Sequence, residues 1–437
     1  MKSPSLLAPY YRRLESLSTA RWYGRVTKAV GHIVESEGPF CSLGECCEVF
    51  GPTGEPHAGE VVGFRGSTVL SMPLERLDDI RYGDRIAAWG AKPTLRVGDE
   101  LLGRVIDGMG QPLDSRSEYL AREYWPLHAL GPLPLDRRSI REPLGCGVRA
   151  IDAFLTCGRG QRVGVFGGSG VGKSTLLGLM ARGSAADVTV MALVGERGRE
   201  VREFLEGTLG EEGRRRSVVV VSTSDQSPLL RIRAALVATT VSEYFAMKGK
   251  NVLLVVDSLT RFAMAQREIG LAAGEPPTAK GYTPSVFTML AQLIERAGYF
   301  SDGSITAFYT VLMEGDDQQD PLVDAVRALL DGHIVLDRRL AAQGHYPAIS
   351  ILDSLSRLMP KVCSPEHLGK VHRLRKLLAA YTASEDLIRV GAYQKGLDPV
   401  LDQAIEVIPA LTKFLQQRGD EETPLSSTLT GLHSLPG

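Results

Sequence analysis

The segment from residue 162 to residue 183 constrains the fold of this 437-residue chain more than any other. A short apolar run, residues 163–166, leads directly into the eight residues GGSGVGKS at 167–174, and a helical window covers residues 173–182. The eight residues match the pattern G-x-x-x-x-G-K-[ST] in full. Between a strand and a helix, such a loop turns its N–H groups toward phosphate oxygens at a helix N-terminus. The sequence therefore predicts a phosphate-binding loop inside an α/β domain.

Two positions of this loop carry specific chemistry toward a nucleotide. The Lys173 ammonium is placed to reach the β- and γ-phosphates, and the Ser174 hydroxyl is placed to bind Mg²⁺. The glycines let the backbone curl so that its N–H groups converge on the phosphates. The predicted nucleotide-binding residues of the loop are Gly167, Gly168, Ser169, Gly170, Val171, Gly172, Lys173, Ser174 and Thr175.

Two acidic residues follow apolar runs elsewhere in the same region. Residues 252–256 are continuously apolar and lead into Asp257. Because functional groups gather at the carboxyl ends of the strands in a parallel sheet, we expect Asp257 beside the phosphate loop, where its carboxylate holds Mg²⁺ through water. Glu196 follows a second apolar run, residues 190–194, and we expect it at the same edge. From spacing alone, a solvated charged turn is the favoured interpretation of Glu196, with a catalytic base as the alternative.

The pattern of apolar residues, glycine and proline changes several times along the chain. Residues 22–98 carry short apolar runs broken by Gly and Pro, which is typical of a small all-β sandwich or barrel. Residues 99–146 read as a connecting segment, residues 147–360 as a mostly parallel sheet covered by helices, and residues 361–437 as a helical domain with a polar tail. Residues 1–21 form a basic amphipathic pattern, predicting a helix that either docks on its own domain or binds a partner or membrane surface.

The composition excludes several classes of protein. With 43% hydrophobic and 23% charged residues, the chain is not intrinsically disordered. A net charge of −1 gives no global electrostatic reason to bind nucleic acid. The apolar runs are far shorter than the ~18 residues of a membrane span, and no secretory signal is recognisable. We therefore expect a multidomain cytoplasmic protein that binds no nucleic acid.

Further motifs resemble the catalytic subunits of rotary ATP synthases and their relatives. GERGRE at 195–200 lies between the phosphate loop and Asp257, in the order found in that superfamily. Within it, the chain is most similar to the protein-export ATPases of bacterial flagella and type III injectisomes, through the runs DSLTRFA (257–263), QREIG (266–270), GEPP (274–277), GYTPSVF (281–287) and DGHIVL (331–336). Gln318, Gln319 and Thr283 depart from the usual form of the family, and they bear on the subgroup only.

The resemblance implies both a fold and residue roles. The implied fold is a RecA-like P-loop core with a mostly parallel sheet, preceded by a small N-terminal β-barrel and followed by a C-terminal helical domain. Glu196 matches the acid that orients the attacking water, and Arg197 is its neighbour in the same loop. Arg261 matches an arginine near the γ-phosphate, and Tyr346 matches the aromatic residue that stacks on adenine. Arg357 matches the arginine finger that one protomer presents to its neighbour's nucleotide.

The same resemblance implies a function and partners. The function is Mg-ATP hydrolysis that drives unfolding, chaperone release and export of flagellar proteins by a homohexamer. The implied partners are a stator-like regulatory protein at the N-terminus, a stalk protein in the ring pore, export substrates and chaperones, and an export gate at the cytoplasmic face of the inner membrane. The alternatives are an injectisome ATPase and the catalytic subunit of a rotary ATP synthase. A hexameric RNA translocase is disfavoured because residues 24–98 lack a basic, aromatic platform.

Overall fold

The computed structural model describes residues 21–75, 79–114, 116, 118–313, 315, 317 and 320–436, so the predicted N-terminal helix lies almost wholly outside the described residues. The first module is a closed barrel of six antiparallel strands in the order β1-β2-β5-β4-β3-β6. Its inward side chains are apolar and alternate with polar outward ones, as in Val26, Val34, Val49 and Ile86. The strands are β1 (Trp22–Val30), β2 (Ile33–Glu37), β3 (Cys46–Phe50), β4 (Pro56–Arg65), β5 (Thr68–Pro73) and β6 (Arg85–Ala88).

The segment after the barrel is more structured than a simple connection. Strand β7 (Thr94–Val97) pairs with β9 (Glu123–Pro126) in a small ribbon, and β8 (Val105–Asp107) runs parallel to β14 (Ser217–Thr223) of the main sheet. Strands β10 (Pro143–Leu144) and β11 (Cys157–Gly158) form a second two-stranded pair. These elements are two to four residues long, so the sequence pattern alone did not reveal them.

The central domain is built on a nine-stranded sheet in the order β19-β18-β12-β17-β15-β13-β14-β8, with β16 paired to β17. Strands β18 to β8 along this order are all parallel, and β19 and β16 are antiparallel to their partners. The remaining strands of this sheet are β12 (Arg162–Gly167), β13 (Val188–Glu196), β14 (Ser217–Thr223), β15 (Asn251–Asp257), β16 (Gly298–Tyr299), β17 (Ser304–Leu312), β18 (Gly332–Leu336) and β19 (Ile349–Ser356).

Helices cover both faces of this sheet, which explains why its strands are almost continuously apolar. Two large hydrophobic clusters lie on the two faces. The α-helices of the central domain are α1 (Arg149–Phe154), α2 (Lys173–Gly183), α3 (Gly198–Glu203), α4 (Gly210–Arg215), α5 (Pro228–Met247), α6 (Leu259–Ala273), α7 (Pro284–Glu295), α8 (Pro321–Leu329) and α9 (Arg338–Ala342). The parallel order brings the carboxyl ends of β12, β17, β15 and β13 to one edge of the sheet.

The C-terminal region is helical, with α10 (Met359–Val362), α11 (Pro365–Arg389), α12 (Pro399–Leu415) and α13 (Leu425–Ser434). The segment predicted as a polar tail contains the last of these helices, α13. Helix α13 packs against α1 and buries Leu432 completely. Leu425, Leu429 and Leu432 recur at helical spacing within α13, and this short apolar face drives the docking. Among the helices that the structure describes, none combines the length and apolarity needed to cross a bilayer.

Candidate nucleotide-binding site

The phosphate loop connects the end of β12 at Gly167 to the start of α2 at Lys173. Gly170 and Gly172 have φ angles of 79° and 85°, a left-handed conformation that favours glycine. A Cβ atom on Gly172 would also lie 3.2 Å from the ring of Tyr346. The loop therefore needs glycine for its curl and for its close approach to that ring.

Lys173 and Asp257 meet at the carboxyl edge of the sheet. The Lys173 Nζ atom donates a 2.5 Å hydrogen bond to Asp257 Oδ1, and the Thr310 hydroxyl donates a 2.6 Å bond to the same oxygen. Asp257 is buried with 4% exposure, so its carboxylate depends on these two partners. The structure thus brings together the lysine and the acid that the sequence placed at this edge.

One carboxylate and one hydroxyl are a suitable donor set for Mg²⁺. This ion keeps several waters and is usually held by one or two carboxylates together with substrate phosphates. Asp257 and the exposed Ser174, at the second position of α2, supply such oxygens at the loop. The residues present therefore fit a Mg²⁺ ion that arrives with a nucleotide.

Glu196 ends β13, the strand beside β15. Leu193, three residues before Glu196 on β13, pairs with Asp257 at the end of β15. Burial and then the negative charge of Asp257 raise the pKa of Glu196 from 4.5 to about 7, against the opposing effect of Lys173. A hydrogen bond with the Glu200 carboxyl contributes to the same rise. An acid whose pKa is shifted toward neutrality is suited to exchanging a proton with water near this edge.

Arg261, predicted near the γ-phosphate, and Arg197, the neighbour of Glu196 in its loop, occupy different environments. The aliphatic part of Arg261, on α6, packs against Gly195, whose own Cβ would lie 3.1 Å from that of Arg261. The Arg261 Nε is buried without an acceptor in the described part of the chain. Arg197 is largely exposed and pairs with Glu200 at 2.8 Å. Arg261 therefore lies at the site with free hydrogen-bonding capacity, whereas Arg197 points away into solvent.

A cavity of about 830 Å³ opens beside the phosphate loop. Its walls include Gly172, Thr175 and Tyr346, whose side chain is 44% exposed. The opposite wall is residues 416–421, a segment just beyond α12. An exposed aromatic ring next to a phosphate loop provides a flat surface for a purine base.

Residues 416–421 form a wall that the sequence analysis missed. The Gln417 amide N–H donates to the Tyr346 carbonyl at 2.8 Å, and the Gln417 side chain bonds the backbone of Gly147 and Arg149. Arg149 also forms an ion pair with Glu421. The contacts of Gln417 with Gly147 and Arg149 join residues 270 and 268 positions apart, so no local pattern could have indicated them.

Arg357 lies far from the phosphate loop of its own chain. Its N–H donates to the Asp331 carbonyl, just before β18, and β18 runs parallel to β12 with Gly332 beside Val163. Arg357 is thus at the amino edge of the sheet, whereas the loop follows the carboxyl end of β12. Six residues at about 3.3 Å each separate these edges by roughly 20 Å. An Arg side chain cannot span that distance.

Comparison with known proteins agrees with this geometry. Residues 147–356 match the family model of the ATP synthase alpha/beta family, nucleotide-binding domain, and residues 363–434 match that of the T3SS EscN ATPase C-terminal domain. The flagellum-specific ATP synthase of Bacillus subtilis is 49% identical over 97% of this chain and 97% of its own length. This chain belongs to the ATP synthase alpha/beta family, in its flagellar and type III secretion branch.

Other members of the branch are similarly close. The flagellum-specific ATP synthase of Pseudomonas aeruginosa is 51% identical over 94% of this chain and 92% of its own length. The type 3 secretion system ATPase of Xanthomonas euvesicatoria is 47% identical over 99% of this chain and 98% of its own length. The assembled ATPase EscN from the type III secretion system of enteropathogenic E. coli superimposes with a TM-score of 0.88 at 44% identity, covering 94% of this chain and 99% of EscN. The family and the three-part fold predicted from the sequence are confirmed.

Proposed function

We propose that this ATPase hydrolyses Mg-ATP as the motor of flagellar type III protein export. The observation that carries the proposal is the meeting of Lys173, Asp257 and Glu196 at one sheet edge, beside an 830 Å³ cavity with an aromatic wall. ATP fits there with its phosphates on residues 167–175 and its adenine against Tyr346.

Each residue at the carboxyl edge has a proposed part in hydrolysis. Lys173 neutralises the β- and γ-phosphates, and Arg261 supplies further positive charge near the γ-phosphate. Glu196 orients the attacking water and accepts its proton, while Arg197 keeps Glu200 paired and so helps to hold the position of Glu196. Ser174 and Asp257 would hold Mg²⁺, which would supply positive charge to stabilise the negative charge that develops on the phosphates.

We further propose that the complete site spans two protomers. Arg357 cannot reach the nucleotide of its own chain, so it would act as the arginine finger toward that of a neighbour. A head-to-tail contact of this kind closes into a ring when the rotation closes, and we propose a homohexamer. A relative supports an assembled state, because EscN has been solved as an assembled ATPase and in complex with its central stalk EscO.

The partners and location of this protein are proposed by similarity to its relatives. We propose a stator-like regulatory partner at residues 1–21, a stalk protein in the ring pore, and export substrates and chaperones at the helical domain, with the ring at an export gate on the cytoplasmic face of the inner membrane. The proposed division is 22–98 barrel, 99–146 connection, 147–360 ATPase domain and 361–437 helical domain. An injectisome role is the second candidate, because two type 3 secretion system ATPases are 47–48% identical to this chain, within the 44–51% range of six flagellum-specific ATP synthases.

The test is the Mg-dependent ATPase rate per protomer as a function of protein concentration. We expect the rate to rise with concentration as protomers assemble, and we expect Arg357→Ala to abolish most of the plateau rate. A flat rate per protomer together with an active Arg357→Ala variant would show a self-contained site and contradict the proposal.

A further inference from the structure

A second groove lies at the amino edge of the central sheet, away from the phosphate loop. Its volume is about 650 Å³, and its walls carry five cationic side chains and one carboxylate. The cations are Arg137, Arg138, Arg141, Arg162 and Lys361. We refer to this feature as the basic groove.

Two of these cations are neutralised within the chain. Arg162 pairs with Glu295 at 2.6 Å and with Asp331 at 3.2 Å, and Arg137 pairs with Glu295 at 3.0 Å. Both guanidinium groups are thereby fixed as part of the groove wall. Their positive charge is largely balanced, so they do not by themselves call for an external anion.

The other three cations remain unbalanced. Arg138, Arg141 and Lys361 are exposed, and within the described ranges none of them forms an ion pair. Glu142, the acid next to Arg141, is already paired with Arg159 at 3.3 Å. Three unpaired positive charges around one concave surface give it a positive potential that attracts an anionic partner.

The groove is continuous with the surface that carries Arg357. In its wall, Leu358 follows Arg357 directly and Lys361 lies four residues after Arg357, and the Arg357 N–H donates to the carbonyl of Asp331, which also lines the groove. Leu133 and Leu135, a few residues before Arg137, are 69% and 97% exposed, so two apolar side chains are available for contact close to the cations in the chain. A neighbour that receives the Arg357 side chain must also lie over this groove.

We infer that the basic groove binds the acidic surface of a second copy of this chain and determines how readily the ring assembles. The unbalanced cations would meet carboxylates on the nucleotide-bearing side of that copy, and the exposed leucines would be covered by the same contact. This inference rests on the proposed function, because the continuity with Arg357 identifies the occupant. Arg138, Arg141 and Lys361 act on assembly, and Arg357 acts on the reacting phosphate.

The test is the double charge reversal Arg141→Glu/Lys361→Glu, measured in the full chain as ATPase rate per protomer against protein concentration. We expect the concentration of half-maximal activity to rise about tenfold or more, because attraction is replaced by repulsion. The plateau rate should stay within about twofold of the starting protein, because no reacting group has changed. Sedimentation with a non-hydrolysable ATP analogue should show the same shift in assembly.

Two controls make the outcome specific. Lys28→Glu reverses an exposed cation on β1 that forms no ion pair in the described residues, and it should leave the half-maximal concentration unchanged. Arg357→Ala should show the opposite result. The protein concentration of half-maximal activity should be unchanged, and the plateau ATPase rate should be low. An unchanged half-maximal concentration in the double variant would overturn the inference, and so would a collapsed plateau. Neither result would touch the proposed function, which fails only if Arg357→Ala remains active.

Discussion

Replacing Glu196 by Gln should remove both most of the ATPase activity and a pH dependence centred near neutrality. Burial and the charge of Asp257 raise the pKa of Glu196 to about 7, so the side chain is mostly protonated at pH 6 and mostly ionised at pH 8. With this pKa, the ionised fraction rises from about one tenth to about nine tenths over that interval. If the carboxylate accepts the proton of the attacking water, kcat/KM should rise about tenfold between the two pH values.

The same pKa gives a prediction for stability with a definite sign. An acid whose pKa is raised on folding favours the folded state while it is protonated, and this stabilisation is lost as the pH rises from 4.5 toward 7. The rise corresponds to at most about 3 kcal/mol, and the partial exposure of Glu196 reduces this to about 1–2 kcal/mol. Glu196→Gln should therefore be more stable than the starting protein at pH 8. At pH 5 the difference in stability between the two proteins should be much smaller.

The assay is steady-state ATPase activity from pH 5.5 to pH 8.5 at a protein concentration above the assembly range, with urea unfolding in parallel. Glu196→Gln should lose roughly 10²–10⁴-fold in kcat/KM and show a flat profile. The matched control is Glu203→Gln, an exposed acid on α3 that pairs with Arg199, which should keep the activity and the profile of the starting protein. An active Glu196→Gln variant whose profile still turns near pH 7 would refute the reasoning.

Three further predictions concern two residues of the nucleotide site and the ion pair that joins the central domain to the barrel. Tyr346→Ala should raise the KM for ATP roughly tenfold, since aromatic stacking on a base contributes about 1–3 kcal/mol, while Tyr346→Phe should keep the KM within about twofold. Asp257→Asn should raise the Mg²⁺ concentration needed for half-maximal activity at least tenfold in a titration at fixed ATP, because a neutral amide is a poor ligand for this ion. Arg233→Leu should lower the free energy of unfolding by about 3 kcal/mol in urea titrations, because it leaves the buried carboxylate of Glu60 with only the more distant His128, 3.9 Å away, as a partner. Adding Glu60→Gln should recover part of that loss.

The sequence was sufficient to predict the carboxyl edge of the site. The loop pattern fixes a strand, a turn and a helix within a short stretch, and Asp257 and Glu196 each end an apolar run that only a buried parallel strand explains. Because the carboxyl ends of such strands meet at one edge, the positions of these acids follow without knowledge of the strand order. In the structure, Lys173 and Asp257 form a hydrogen bond at this edge.

The remaining parts of the site depend on contacts that no local pattern encodes. Gln417 is held at the cavity by hydrogen bonds to Gly147 and Arg149, at the start of the central domain in the sequence. These bonds require the helical domain to pack against the region around α1. The docking of α13 depends on Leu432 finding an apolar surface on that same helix. Arg357 is an exposed charge in both the sequence and the single chain, and only the register of β18 with β12 shows that it faces away from its own nucleotide.

The claim that each site is shared by two protomers is tested most directly by mixing two inactive variants. Arg357→Ala keeps the phosphate loop and lacks the finger, whereas Lys173→Ala keeps the finger and lacks the loop lysine. Mixed as protomers in equal amounts and then concentrated, they should recover roughly a quarter of the starting activity, because about one interface in four combines an intact loop with an intact finger. Lys173→Ala mixed with Glu196→Gln should recover nothing, since neither carries an intact loop side. A mixture of the first pair that stays at the sum of its two components would contradict the shared site.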